Sequence, residues 1–306
     1  MKKEEVNNFM DYKRKSIMSS IALGLIALLW GTSYAIIKDI LSDIRPFTLM
    51  SLRFGISTIF LCVIFPKKLR NIRKKDILHG SIIGIFLFLA FLNLVTGIFY
   101  TTASKQSFLV GSYVLIVPFL GWIIYKKPPN IYSVFGAVLA VFGIGLLTLN
   151  GSFYINKGDS ISILCSLSFA CHMIAIEYFN KDSDPIVSTI IQFLVTSILF
   201  IILTGIFESF TIYLSSKVLK SIAYLTIFTT VIPFVVQNIA QKYISSTSTA
   251  LILTLESAFG GIFAVILLNE ILSFQMLIGC VLIFTGIIIQ TTRLAFLKKM
   301  KISCKN

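Results

Sequence analysis

One carboxyl side chain, Glu256, interrupts the apolar run from Ser246 to Leu268 close to its midpoint. A charge at the centre of a hydrocarbon layer costs on the order of 3 kcal/mol on insertion scales, so such a group is expected to be partnered or used. Three chemistries suit it. It can gain and lose a proton and so couple a movement to the proton gradient. It can stay ionised and recognise a substrate amine. It can also stay protonated and tie helices together by hydrogen bonds to Tyr113, Gln106 or His172. The default for ionisable groups at this depth favours function over structure.

Few other groups in the apolar runs could do chemistry. Thr249 and Glu256 on one run correspond to Gln106 and Tyr113 on an earlier one, and these four are expected to border a central cavity. Trp30 and Tyr34 are four residues apart, share a helix face, and with Tyr113 could form an aromatic wall. Asn93, Gln237 and Asn238 could line the cavity or bond across helices. His172 lies mid-run, where hydrogen bonding between helices is commoner than proton transfer. Arg53 could pair with Glu256, bind an anionic substrate or snorkel to the surface, and a structural role is favoured. Glu177 and Lys105 sit near run ends, within reach of water. No Walker-type loop, H-E-x-x-H or G-x-S-x-G run occurs, so no catalytic residue, metal site or cofactor is expected.

The elements that must position these residues are membrane spans. The chain is 56% hydrophobic and 13% charged over 306 residues, against about 25% charged in ordinary globular domains. Ten runs are near the ~20 residues that a helix needs to cross a bilayer. They are Ile17–Ile37, Phe47–Phe65, Ile77–Phe99, Ala103–Tyr125, Ile131–Leu149, Ser160–Phe179, Ile186–Phe207, Ser221–Gln241, Ser246–Leu268 and Phe274–Arg293. The net charge of +14 does not point to nucleic acid, because the basic residues sit in short links between the runs. Twenty of the 27 lysines and arginines fall in links on one side and six on the other, with Arg53 inside a run. By the positive-inside rule the expectation is a multi-pass protein of the cell membrane with both termini cytoplasmic. Four of the five cysteines lie within apolar runs and are expected to be reduced.

The chain also repeats itself. Tyr100 to Gly145 aligns without a gap onto Tyr243 to Ile288, matching Thr102 with Ser245, Gly136 with Gly279 and Gly143 with Gly286. At a second offset Trp30 meets Phe169, Lys38 meets Glu177, Pro46 meets Pro185 and Arg53 meets Gln192. Each copy holds five runs, and an odd number makes the copies enter the membrane from opposite sides. The expected fold is therefore an all-α integral membrane protein of ten transmembrane helices in two inverted five-helix repeats. The expected division is a cytoplasmic tail 1–16, a first repeat 17–149, a second repeat 160–293 and a basic tail 294–306. Small residues at Ser107, Gly111 and Gly121, with Pro118, form a stripe on the fourth run. Ser246, Ala250, Thr254, Ser257, Gly261 and Ala264 repeat the stripe on the ninth. Small stripes let helices approach closely in lipid, so these two runs are expected to pack on each other. Pro118 and Pro233 each remove a backbone hydrogen bond and permit a kink or free a carbonyl.

The run Leu29-Trp30-Gly31-Thr32-Ser33-Tyr34, with Pro46-Phe47 and Leu52-Arg53-Phe54 after it, resembles the first two helices of EamA-type members of the drug/metabolite transporter superfamily. Thr101 to Leu109 with Val117-Pro118 is similar to their fourth helix, and Leu268-Asn269-Glu270 with Gly279 and Gly286 to the end of their second repeat. The resemblance spans about Ile21 to Thr292. It implies a ten-helix bundle that moves small metabolites, often outward, by alternating access around a central cavity. The sequence departs from the family at Lys127, where members often carry an acid. The competing readings are a solute or ion channel and an intramembrane enzyme. An aromatic cavity with few charges suits amino acids, nucleobases or small amphipathic cations. The expected partners are a small-molecule substrate, membrane lipids and, as candidates, protons and a second copy in a homodimer.

Overall fold

The computed structural model describes residues 2–148, 156–208, 215–269 and 274–292, and no strand occurs among them. The helices are α1 (Lys2–Ile40), α2 (Pro46–Ile64), α3 (Pro66–Leu69), α4 (Lys74–Gly97), α5 (Ala103–Gly111), α6 (Tyr113–Tyr125), α7 (Ile131–Thr148), α8 (Lys157–Phe179) and α9 (Pro185–Phe207). They continue with α10 (Ser216–Thr226), a π-helical turn (Ile227–Val231), α11 (Ile232–Ala240), α12 (Ser246–Leu253), α13 (Leu255–Leu268) and α14 (Phe274–Thr292). Among the described residues eight helical stretches are long and apolar enough to cross a membrane, and Ile131–Gly143 and Leu277–Gly286 are shorter apolar stretches. The segment read as an N-terminal tail is helical from Lys2 and runs unbroken into the first span. The basic tail 294–306 and Glu270 lie outside the described residues.

The sequence starts and stops these helices by recognisable means. Pro46 and Pro185 open α2 and α9, where a missing N–H costs nothing. Thr102, Asn156, Ser215 and Ser245 cap their helices by accepting from a backbone N–H with the side chain. Lys126 and Asn269 close α6 and α13 in the left-handed conformation, at φ 57° and 55°. Thr102 and Lys126 align with Ser245 and Asn269, so the fourth and ninth runs begin and end by the same device. Asparagine tolerates that conformation, whereas lysine pays about 1 kcal/mol for it. Lys126→Gly is therefore expected to raise the unfolding temperature in detergent by a few degrees. An unchanged or lower midpoint would count against the strain.

Both of these runs break midway. Pro118, which permits a kink, lies inside α6 and is not where α5 gives way to it. The break is at Ser112, whose hydroxyl donates to the Leu109 carbonyl at 2.7 Å. In the second copy it is at Thr254, whose hydroxyl donates to the Ala250 carbonyl at 2.8 Å, with no proline nearby. Back-bonding of a hydroxyl to the preceding turn competes with the helix ladder and bends it. The ladder tightens at both places, with Leu115 N–H reaching Ser112 and Ser257 N–H reaching Thr254.

The bundle packs α1 against α13 and α11, α4 against α8 and α9, α2 against α9, α5 against α13 and α7 against α14. Its outer faces are apolar: Ile21 and Leu25 on α1, Ile59 and Val63 on α2, and Ile206 on α9 are 62–72% exposed. An apolar exterior of this extent suits lipid. Charges gather at the ends. Lys68–Asp184 at 2.5 Å and Lys75–Asp182 at 3.1 Å join links at one end, and Lys217–Asp39 at 3.0 Å and Lys105–Asp159 at 2.6 Å lie at the other.

Candidate functional site

Where α1 and α5 pack against α13, at the start of α6, three polar side chains meet in an apolar interior. The Tyr113 hydroxyl donates to Glu256 Oε1 at 3.0 Å. The Tyr34 hydroxyl interacts with the same carboxyl. Glu256, Tyr34 and Tyr113 are 4%, 2% and 1% exposed. The break at Thr254 places Glu256 in the first turn of α13. No lysine, arginine or histidine makes an ion pair with Glu256 among the described residues. The site is a carboxyl held by phenols, able to exchange a proton or to meet a cationic group.

The other expected cavity residues divide into several groups. Gln106 is fully buried, but it points away from Glu256: its amide donates to the Leu94 carbonyl at 3.2 Å and accepts from Ser162 at 2.5 Å. His172 bonds Gln192 at 2.9 Å rather than Glu256. Asn238 joins α11 to α8, accepting from Asn180 at 2.7 Å. Asn93 is half-buried and donates to the Leu89 carbonyl in its own helix at 2.8 Å. Gln237 and Thr249 are buried and make no side-chain hydrogen bond. The expected open cavity around Glu256 is closed. The clefts at one end, of about 480 and 550 Å³, are lined by Glu177, Lys181 and Ser245 and do not include Glu256.

Arg53 neither pairs with Glu256 nor snorkels. It is 1% exposed and lies against the Phe91 ring, 4.9 Å from its centroid. Its guanidinium donates to the Thr229 carbonyl at 3.0 Å, to the Thr229 hydroxyl at 2.8 Å and to the Thr230 hydroxyl. Trp30 Nε1 donates to the same carbonyl at 2.9 Å. That carbonyl is available because Pro233, four residues on, has no N–H to offer it. The proline thus frees a carbonyl, as its position suggests, and the protein's own Arg53 and Trp30 occupy it. The Phe234 ring beside it meets Trp30 at 5.2 Å and His172 at 5.7 Å.

The small stripes meet as their spacing implies. A Cβ on Gly111 would collide with Ser257, whose hydroxyl donates to the Ser107 carbonyl at 2.9 Å. On α13 the close approach to Ser107 is made by Gly260, one residue before the expected Gly261, which is buried. Glu177, expected within reach of water, lines both clefts and also caps α12 through the Ser246 N–H at 2.7 Å. It is the functional candidate that the sequence reading passed over. Its alignment with Lys38 across the repeat was the available signal.

These features define a multi-pass helical membrane protein with a buried carboxyl at its centre. Residues 18–149 and again 156–292 match the EamA-like transporter family, and the chain belongs to that family. It is 30% identical to an uncharacterized transporter of Archaeoglobus fulgidus over 281 residues, covering 91% of this chain and 87% of that one. It is 25% identical to a probable amino-acid metabolite efflux pump of Escherichia coli over 298 residues, covering 91% and 96%. A solved crystal structure superposes with a TM-score of 0.74 at 18% identity, covering 92% and 99% of the two chains, and shares the fold. The protein is a membrane transporter.

Proposed function

We propose that the protein is a secondary transporter of the cell membrane. In this reading it exports a small amino-acid-like metabolite by alternating access, with Glu256, Tyr113 and Tyr34 at the centre of the path. The observation that carries this reading is the carboxyl–phenol cluster, buried at mid-span where the two broken helices meet α1. A carboxyl left there without a basic partner is costly unless it is used. The Escherichia coli relative's name supports outward movement of an amino-acid metabolite. Candidate substrates are amino acids, nucleobases and small amphipathic cations, and protons are the candidate coupling ion. The test is uptake of a labelled panel of these compounds into inside-out vesicles, with and without a proton gradient. Saturable uptake and counterflow support the reading. Single-channel currents in place of counterflow would replace it with a pore.

Ten spans in two inverted repeats are part of this reading. Mirrored packing supports them: α13 lies on α1 as α6 lies on α8, and α7 and α14, at equivalent places, lie on each other. So do the matching caps and breaks of the fourth and ninth runs. The bias of the basic links supports a cytoplasmic location for both termini. A cysteine replacing Lys157 is expected to label from outside intact cells, and one replacing Arg70 only after permeabilisation. The opposite pattern rejects this orientation.

A further inference from the structure

Glu177 stands near the end of α8, half-buried. Its Oε2 accepts from the Ser246 backbone N–H at 2.7 Å and from the Ser246 hydroxyl. Gln241, just past α11, donates to that hydroxyl at 3.2 Å and to the Met173 carbonyl at 2.9 Å. This knot ties α8, α11 and α12 together at the end that carries both clefts. Glu177 lines each cleft, and neither is lined by Glu256, Tyr34 or Tyr113. The knot thus forms part of the wall of both clefts, on α8 and at the start of the run that carries Glu256.

Behind it lie groups without partners. Gln237 is four residues before Gln241, and Thr249 is three after Ser246, so each is one turn deeper on the same helix face. Gln237 is 1% exposed and Thr249 fully buried, and neither the Gln237 amide nitrogen and oxygen nor the Thr249 hydroxyl makes a hydrogen bond. Buried polar groups in native proteins are satisfied, so both call for a partner that the chain does not supply. Seven residues beyond Thr249, just past the break at Thr254, comes Glu256. At the opposite end the repeat supplies a counterpart. Lys38, which aligns with Glu177, donates to the Ile98 and Thr101 carbonyls at 2.6 and 2.9 Å, just ahead of α5. The charges are opposite because one latch meets a helix N-terminus, rich in N–H groups, and the other meets carbonyls.

We propose that the Glu177 knot is the gate on the Lys181 side, and that Gln237 and Thr249 form a polar station behind it. The station takes an uncharged group that both gives and accepts hydrogen bonds, water when no solute is present, on the way to Glu256. Lys38 latches the opposite gate. The proposal rests on the transport reading above.

The test uses the full chain in inside-out vesicles, with Cys62, Cys165, Cys171, Cys280 and Cys304 replaced by serine and Thr249→Cys introduced. The probe is methyl methanethiosulfonate, small and uncharged. Labelling is expected to be slow in this background, at least ten-fold faster with Glu177→Ala, and intermediate with Glu177→Gln, which keeps the side-chain volume. Glu208→Ala is the control, because Glu208 accepts from the Phe47 and Thr48 N–H groups, at the other end of the bundle. Adding Gln237→Leu to Glu177→Ala is expected to return the rate most of the way to slow, since the lane loses the water that ionises the thiol. Equal rates with and without Glu177, or equal acceleration by Glu208→Ala, overturn the gate. An accelerated rate that Gln237→Leu leaves untouched overturns the station. Labelling needs no substrate and leaves Glu256 intact, so a negative result here does not touch the transport reading, and failed transport does not decide this one.

Discussion

Glu256→Gln is expected to remove the proton dependence of transport while leaving the protein folded. Glutamine has the volume of glutamate, and its carbonyl can still accept from the Tyr113 hydroxyl, which lies 3.0 Å from the carboxyl. What it cannot do is take up or release a proton. With no basic partner for Glu256 among the described residues, the substitution breaks no ion pair, so a change in activity reports on the carboxyl itself. If the carboxyl couples transport to protons, gradient-driven accumulation falls at least ten-fold, while substrate exchange in the absence of a gradient continues. If it recognises an amine, binding of cationic substrates falls and that of neutral ones does not. A mutant with normal protein level, unchanged affinity and an unchanged pH profile would falsify both roles and leave Glu256 as a structural tie between α13 and α6. Tyr113→Phe separates the contributions further, because it removes the hydroxyl and keeps the titrating group.

Eight apolar spans and Glu256 as a lone carboxyl near the middle of its run were legible because each rests on composition. The π-helical turn was not. Thr229 and Thr230 both donate to the Leu225 carbonyl, at 2.8 and 2.9 Å, four and five residues back. In sequence they read as two small polar residues in an apolar run. Their meaning appears only when Arg53, far away in the chain, bonds both of them. The same limit applies to Gln106, His172 and Asn238. The sequence marks each as polar and buried, but partner choice depends on which helices touch, and Ser162, Gln192 and Asn180 could not be picked from a list of candidates. The closed centre was hidden for a related reason. A cavity is the volume that packing leaves over, and residue types constrain it only weakly. Pro118 is carried inside α6 and does not mark the break, whereas the Ser112 and Thr254 hydroxyls compete with the ladder directly.

Gly31→Leu is expected to abolish accumulation of folded protein. Gly31 lies in α1 where it crosses α13, one residue after Trp30 and three before Tyr34. A Cβ at this position would sit 2.5 Å from the Phe259 Cβ and 2.9 Å from the Gly260 backbone nitrogen. A side-chain tip can rotate away from such a clash, but backbone and Cβ atoms move only if the helices separate. Separation is blocked on the other side of α13, where a Cβ on Gly260 would already meet Ser107 at 2.6 Å. Helices in lipid gain no hydrophobic attraction and depend on this close contact. Overpacking of this kind costs roughly 1–3 kcal/mol even where a core can adjust, and more where backbone is wedged against backbone. Gly111 makes a useful comparison, because the obstruction there is the Ser257 hydroxyl, which can turn to another rotamer at the loss of one hydrogen bond. Gly111→Ala should therefore leave a folded protein with a lowered unfolding temperature, while Gly31→Ala is already severe and Gly31→Leu yields none. Fluorescence-detected size exclusion of tagged variants reads this order directly. A monodisperse Gly31→Leu peak at wild-type level would mean that α1 and α13 do not touch at this depth, and that the carboxyl–phenol cluster they frame is not assembled as described.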